Sequence, residues 1–113
     1  MALLGTPFET VVSRSEGAVV VSIRGELDTF TAARLRNQLH DLINNQGNLR
    51  VVVNLERTTF IDSSGLALLV EALRWIRNRG GELSLASPSR NVSRALEISG
   101  LDRVFTVTAP AAA

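Results

Sequence analysis

The sequence predicts one domain of the α/β class, built on a mixed, mostly parallel five-stranded sheet with the element order ββαβαβαβ. The chain has 113 residues, which is the size of one domain. Segments rich in β-branched residues alternate with segments whose apolar residues recur at helical spacing, and this alternation requires parallel crossovers. The first two strands are separated by a two-residue turn and add one antiparallel pair, as is common in mixed sheets.

The first half of the chain is predicted to form a hairpin, a helix and a buried strand. Residues 8–15 and 18–26 are rich in β-branched residues and flank a Glu-Gly turn pair. Apolar residues then recur at helical spacing from residue 29 to about residue 44, and the polar segment 45–48 ends that helix. Residues 49–55 are apolar at almost every position, which predicts a strand covered on both faces.

The second half repeats the alternation of helices and strands. Residues 63–79 carry an apolar stripe at helical spacing and are closed by a glycine pair. A short strand is predicted at 82–86, a shorter helix after Pro88, and a last strand at 104–107. We expect one domain over 1–113, with its core at about 8–107 and a frayed tail at 108–113.

The composition excludes several kinds of site. The chain contains no cysteine, which rules out disulfides, thiolate nucleophiles and cysteine metal ligands. Its one histidine, His40, lies on the first predicted helix, where a surface or boundary position is usual. The sequence has no phosphate-cradling glycine loop and no cluster of metal ligands. We therefore predict that the protein is not an enzyme and uses no cofactor and no metal.

Charge and hydropathy indicate a cytoplasmic protein that contacts neither nucleic acid nor membrane. The formal net charge is +1, and the basic residues, all of them arginine, are scattered instead of forming the dense stripe of a phosphate-backbone reader. No apolar run approaches the about 20 residues of a membrane span. Residues 1–5 lack the basic region and the long apolar run of a signal peptide.

The most informative segment is Thr59–Leu66, Thr-Phe-Ile-Asp-Ser-Ser-Gly-Leu, which joins a buried strand to a helix. Modifications and ligands in α/β folds favour the carboxyl ends of strands, and the N–H groups of a first helical turn favour negative charge. A phosphoryl group on a serine there would bond to these N–H groups. The alternative is that Asp62, Ser63 or Ser64 is only a helix N-cap. We expect Gly65 to leave this helix end open to close approach by another molecule.

Three blocks of the sequence carry a resemblance to a known family. The blocks are residues 25–28 (Gly-Glu-Leu-Asp), residues 51–55 with 60–66, and residues 80–81 with 96–101 and 104–105. Together they resemble the STAS domain family, in particular the bacterial anti-sigma-factor antagonists, over about residues 10–107. Matched blocks in the right order and at the right separations are more specific than any one tetrapeptide.

The resemblance implies a phosphorylation switch at Ser63. In the family, the first serine of the Asp-Ser-Ser/Thr-Gly motif accepts phosphate, and Ser63 occupies that position here. The unphosphorylated antagonist binds an anti-sigma factor that is also an ATP-dependent serine kinase, and the sigma factor is released. Phosphorylation breaks this complex, and a metal-dependent serine phosphatase restores it. Asp28 matches an aspartate of the family's partner-binding and phosphorylation surface.

The resemblance and the residues together predict a partner-binding surface. Its expected members are Asp28, Asp62, Ser64, Gly65, Leu66 and Leu68. Phosphate at Ser63 would stand beside carboxylates, and like charges at an interface favour dissociation. We expect a monomer or a weak dimer. The family's fourth helix, after the last strand, is missing from the sequence, because only residues 108–113 follow that strand.

One apolar row on the helix predicted at 63–79 allows two interpretations. Leu68, Ala72 and Trp75 form a second row, well away from the inner stripe. In one interpretation, neighbouring helices cover this row. In the other, Leu68 is exposed near the start of the helix and docks the partner.

Two further functions stay open beside the leading one. STAS subunits of other assemblies, such as a stressosome-like complex or a membrane lipid-transport complex, use the same loop as a docking surface. A binder of a small ligand or nucleotide would use the same helix N-terminus. The serine at the acceptor position and the single-domain architecture favour the anti-sigma-factor antagonist.

Overall fold

Five strands and three α-helices make up the computed structural model, which describes residues 7–109. The strands are β1 (Glu9–Ser15), β2 (Ala18–Leu27), β3 (Arg50–Ile61), β4 (Glu82–Ala86) and β5 (Thr106–Thr108). The helices are α1 (Thr29–His40), α2 (Ser63–Asn78) and α3 (Arg90–Ser99). The predicted class and element order are confirmed. Two expectations concern residues outside the described range, namely the absence of a signal peptide at 1–5 and the frayed tail over 110–113.

The strands lie in the sheet in chain order, β1-β2-β3-β4-β5. β1 pairs with β2 in the antiparallel sense, and the remaining neighbours are parallel. Each parallel strand is thus placed beside its predecessor after one helix. Right-handed crossovers in one direction put all three helices on the same face of the sheet. The buried core lies between that face and the helices.

Side-chain burial alternates along the central strand β3. Val51, Val53 and Leu55 are fully buried, whereas Val52 and Asn54 are only half-buried. The prediction that this strand is covered on both faces is therefore wrong. One face of the strand is covered by helices and requires apolar residues. The other face is partly open, and valine occurs there because β-branched side chains suit a half-buried, pleated surface.

The strand β3 is longer than predicted and carries the chain to the site. Its pairing with β2 continues to Leu27 opposite Ile61 through two register shifts. The first lies between Asn54 and Arg57, and the second lies between Thr58 and Phe60. In this extension Thr58 is fully buried, and its hydroxyl donates to the Ile23 carbonyl oxygen at 2.9 Å. The charged pair Glu56 and Arg57 in mid-strand resembles a loop in sequence, which is why the prediction ended the strand at residue 55.

Two other boundaries differ from the predictions by a few residues. The helix predicted at 29–44 is α-helical to His40 and continues as a π-helical turn, Asp41–Asn45. The last strand begins at Thr106, after a short 3₁₀ turn, Leu101–Arg103. Thr108 belongs to this strand, since the Ser87 N–H donates to its carbonyl oxygen at 2.7 Å, so the predicted frayed tail begins too early.

No helix within residues 7–109 combines the length and the apolar character that crossing a membrane requires.

Candidate functional site

The carboxyl ends of the neighbouring strands β2 and β3 lie side by side and bring two aspartates together. We call this end of the sheet the edge. Leu27 and Ile61 are register partners at the ends of β2 and β3. Asp28 follows the first strand and Asp62 follows the second, and each begins a helix. The backbone N–H of Asp62 donates to the Leu27 carbonyl oxygen at 3.1 Å, which fixes the two connections side by side. The helix N-termini of α1 and α2 therefore lie next to each other.

Asp28 is the N-cap of α1. Its carboxylate accepts hydrogen bonds from the N–H groups of Phe30 and Thr31, each at 3.0 Å. The Thr31 hydroxyl in turn accepts from the Asp28 N–H at 2.8 Å, which completes a capping box. The Thr31 N–H is the main cause that lowers the pKa of the Asp28 carboxyl below its ordinary value, against a smaller opposing effect of burial. Asp28 thus presents a fixed negative charge at this edge.

Asp62 is the N-cap of α2, in the same way. Its carboxylate accepts from the N–H groups of Ser64 at 2.9 Å and Gly65 at 3.2 Å. Of the three caps that the sequence allowed, Asp62, Ser63 and Ser64, the structure thus selects Asp62. Two of the first-turn N–H groups that were expected to receive a phosphate, those of Ser64 and Gly65, are therefore already occupied. A phosphate on Ser63 would stand next to the Asp62 carboxylate, since the two residues are neighbours in the chain.

The two serines of the motif differ in accessibility. Ser63 is the first residue of α2, is exposed, and its hydroxyl makes no hydrogen bond to any residue of 7–109. Ser64 is half-buried, and its hydroxyl lies 3.1 Å from the Thr29 hydroxyl, a contact that joins the ends of α1 and α2. Ser63 is thus the serine that an incoming enzyme can reach.

Gly65 is buried and does not leave the helix end open to another molecule, contrary to our expectation. A Cβ atom at this position would come within 2.8 Å of both Leu27 Cγ and Ile61 Cγ1. The close approach that requires glycine is therefore made by the chain's own strands. Leu66, the next residue, is half-buried and packs against the core, so only part of it faces the edge.

Leu68 does not belong to a docking surface. Its side chain is only 4% exposed, and Ala72 in the same row is fully buried. Trp75 completes the row and packs against α1, with the Arg36 guanidinium 5.5 Å from its ring and His40 in edge contact at 5.1 Å. The interpretation that a neighbouring helix covers the row is confirmed, and the exposure expected for Leu68 is wrong. His40 itself is exposed, as predicted.

The structure adds residues that the sequence reasoning missed. The amide of Asn91 donates to the Thr59 carbonyl oxygen at 3.0 Å, and the Ser89 hydroxyl donates to that of Thr58. Together they fasten the start of α3 to the strand segment that leads to Ser63. These contacts span about thirty positions of the chain, so local sequence pattern gives no signal for them.

The described residues hold no metal-binding cluster, and two cavities lie away from Ser63. Within residues 7–109 no group of three or more His, Cys, Asp and Glu side chains is arranged to hold a metal ion. A cavity of about 280 Å³ is lined by residues of β1, β2 and β3, among them Arg24 and Arg57. A second, of about 400 Å³, lies between β1 and α1. Neither of these two cavities is lined by Ser63 or its neighbours.

Comparison with known proteins gives a consistent set of relatives. The anti-sigma-B factor antagonist of Bacillus subtilis (strain 168) is 31% identical over 98 residues, covering 87% of this chain and 88% of that protein. The solved structure of the anti-sigma factor antagonist SpoIIAA in its unphosphorylated form is 28% identical, with a TM-score of 0.76 over 93% of this chain and 90% of that one. The Bacillus cell fate determinant SpoIIAA in the phosphorylated form is 26% identical, with a TM-score of 0.71 over 93% of each chain.

The family comparison agrees with the fold and with the geometry at the strand ends. The family model described as the STAS domain matches residues 9–111, which is nearly the whole chain. The five-stranded mixed sheet, the three helices and the paired strand–aspartate–helix connections all lie within that match. This chain belongs to the STAS domain family.

Proposed function

We propose that this protein is an anti-sigma-factor antagonist, which binds an anti-sigma factor while unphosphorylated and releases it when Ser63 is phosphorylated. The observation that carries the proposal is the position of Ser63. It is exposed at the first residue of α2, where two helix N-termini and two aspartates converge. The names of the relatives, and a solved relative in both phosphorylated and unphosphorylated forms, support this role.

The electrostatics of the edge support a switch that works by repulsion. Asp28 and Asp62 already satisfy the N–H groups of their helices, so a phosphate on Ser63 finds few unoccupied donors in its own chain. It would add about −1.5 to −2 charges beside two carboxylates. A partner that accommodates the hydroxyl at this point would then face a desolvated, like-charged cluster, and the complex would dissociate. The fold need not change.

The partners follow from the same chemistry. The proposal requires an anti-sigma factor that transfers phosphate from ATP to Ser63, and a serine phosphatase that removes it, both in the cytoplasm.

The protein itself acts by binding and not by catalysis. The one histidine, His40, is the last residue of the 12-residue helix α1, whose first residue contacts Ser64. It lies roughly 18 Å from the site, too far to act as a base for Ser63.

The proposal is tested by mapping phosphate after incubation with Mg-ATP and a lysate of the source organism. We expect phosphate on the tryptic peptide 58–74, at Ser63, in the wild type and in Ser64→Ala. Ser63→Ala should carry none. Ser64→Ala is the matched control, because it removes the neighbouring hydroxyl of the same motif, which is half-buried in contact with Thr29.

Two results would contradict the proposal. One is an absence of phosphate on this peptide when the same lysate phosphorylates other proteins. The other is phosphate that persists on the peptide in Ser63→Ala, which would move the acceptor to Ser64, Thr58 or Thr59. In the first case a constitutive docking role, as in another STAS assembly, becomes the better interpretation.

A further inference from the structure

Two exposed aromatic side chains flank the candidate phosphoacceptor. Phe30, in the first turn of α1, is 83% exposed, and Phe60, near the end of β3, is 45% exposed. The chain has four Phe, one Trp and no Tyr, all within the described residues. The other three aromatic residues, Phe8, Trp75 and Phe105, are buried or half-buried. A single exposed apolar residue needs no explanation, but both exposed aromatics lie at the edge that carries Ser63.

The contacts of this edge place Phe30 close to Ser63. The hydroxyls of Thr29 and Ser64 are 3.1 Å apart. Phe30 follows the first of these residues and Ser63 precedes the second, so the Cα of each lies about 3.8 Å from the Cα of a residue in this contact. Phe60 precedes Asp62 by two residues, opposite Glu26 in the register of β2 and β3. Both residues therefore lie a few positions from Ser63, one across the helix contact and one along the chain.

Folding does not require the Phe30 ring at this position. The first turn of α1 is held by the Asp28 carboxylate through backbone N–H groups, to which the Phe30 ring contributes nothing. The buried stripe of this helix consists of Ala32, Leu35 and Leu39. An aromatic side chain that is exposed and not needed for folding is typical of an anchor in a protein–protein interface.

We infer that Phe30 and Phe60 are the apolar anchors by which this protein docks on the anti-sigma factor kinase that acts at Ser63. This inference rests on the proposed function and extends it to the chemistry of the partner. An interface of about 800 Å² per partner has a radius of roughly 16 Å, so an interface centred on Ser63 reaches both residues. The partner must therefore offer an apolar cleft next to its phosphoryl-transfer site.

The charges around the two rings favour a different protein over a second copy of this chain. Glu26 is exposed beside Phe60, and Asp28 and Asp62 stand at the helix ends. Among the described residues, the salt bridges join Arg24 to Glu9, Arg36 to Glu71 and Arg77 to Glu82, and none neutralises these three acids. A symmetric dimer through this edge would set like charges against each other. A kinase whose apolar cleft has a basic rim is complementary.

The test compares Phe30→Ala and Phe60→Thr with Ile98→Ala. Ile98 is also 83% exposed, but it lies near the last residue of α3, whose first turn is the end fastened to the strand leading to the site. The probe is the kinase purified by following its transfer of phosphate to Ser63. We expect Phe30→Ala and Phe60→Thr each to weaken binding at least tenfold and to raise KM without lowering kcat. Ile98→Ala should stay within about twofold of the wild type, and all three should keep the wild-type melting temperature within a few degrees.

The possible failures can be told apart. If the wild type is phosphorylated at Ser63 but Phe30→Ala binds as Ile98→Ala does, the inference is wrong and the proposed function stands. If analytical ultracentrifugation shows a dimer that Phe30→Ala converts to monomer while the affinity for the kinase is unchanged, the two rings form a dimer interface and the inference is wrong. If no activity in the lysate phosphorylates Ser63, the proposed function fails and the inference fails with it.

Discussion

At the scale of single residues, the site depends on how closely α2 approaches the strands below it. Gly65 lies where a Cβ would meet Leu27 Cγ at 2.8 Å and the Leu27 carbonyl oxygen at 3.0 Å. Leu27 is fully buried, and a backbone oxygen cannot swing away, so neither neighbour yields easily. This packing fixes the distance between the strand ends and the start of α2, which presents Ser63.

We therefore predict that Gly65→Ala destabilises the protein although alanine is the better helix former. The gain in helix propensity is about 1 kcal/mol, and overpacking at such a contact costs about 1–3 kcal/mol. Urea denaturation should show a net loss of about 1 kcal/mol in the free energy of unfolding. Ala67→Gly, an exposed position in the same helix, measures the propensity effect alone. A Gly65→Ala protein more stable than the wild type would contradict the account.

The residue scale also shows what the sequence could and could not reveal. The Asp-Ser-Ser-Gly motif was correctly placed at a strand-to-helix junction from its pattern alone. Which of its members caps the helix could not be read from the pattern, because Asp and Ser are both good caps. The exposure of Phe30 does have a signal in the sequence, since this residue lies off the apolar stripe of its helix, formed by Ala32, Leu35 and Leu39.

At the scale of elements, α1 and α2 both begin at capping aspartates, and the cap that Asp28 provides for α1 should depend on pH. The Thr31 N–H, with smaller contributions from the Thr31 hydroxyl and the Phe30 N–H, lowers the pKa of Asp28 from its ordinary value of 3.8. A carboxyl with a lowered pKa in the folded state stabilises the protein above its ordinary pKa. That stabilisation is lost as the pH falls through the folded-state pKa.

The prediction is a pH-dependent difference between the wild type and Asp28→Asn. Asparagine keeps an acceptor oxygen for the cap but does not titrate in this range. The wild type should be the more stable of the two at pH 7, and the difference should shrink as the pH falls from about 5 to about 3. Thermal melts of both proteins across this range provide the measurement. A difference that stays constant from pH 7 to pH 3 would refute the assignment.

The elements also explain where the prediction of the strands failed. Glu56 and Arg57 interrupt the apolar pattern of β3, yet the strand runs on to Ile61 through two register shifts. Its extension is held by the buried Thr58 hydroxyl, which donates to Ile23, 35 positions away in the chain. Periodicity reports local pattern, so it gives no signal for a strand that is stabilised by distant partners.

At the scale of the whole molecule, the fold collects its functional groups at one edge. Parallel strands in chain order, with all helices on one face, bring the ends of β2 and β3 and the starts of α1, α2 and α3 to the same side of the sheet. Class, element order and family were all readable from the sequence, because they depend on periodicity and on the order of the motifs. The sequence did not reveal that the second face of the sheet is partly open, because a valine-rich strand is compatible with a covered face and with a half-exposed one.

The measurement that tests the central claim most directly is the affinity of the anti-sigma factor kinase for this protein with and without phosphate on Ser63. Both forms are prepared from one batch, and the phosphate is located by peptide mass spectrometry before the titration. If repulsion at the edge with Asp28 and Asp62 drives release, the unphosphorylated form should bind on the order of a hundredfold more tightly. Equal affinities for the two forms would contradict the account, because the phosphate would then change nothing that the partner contacts.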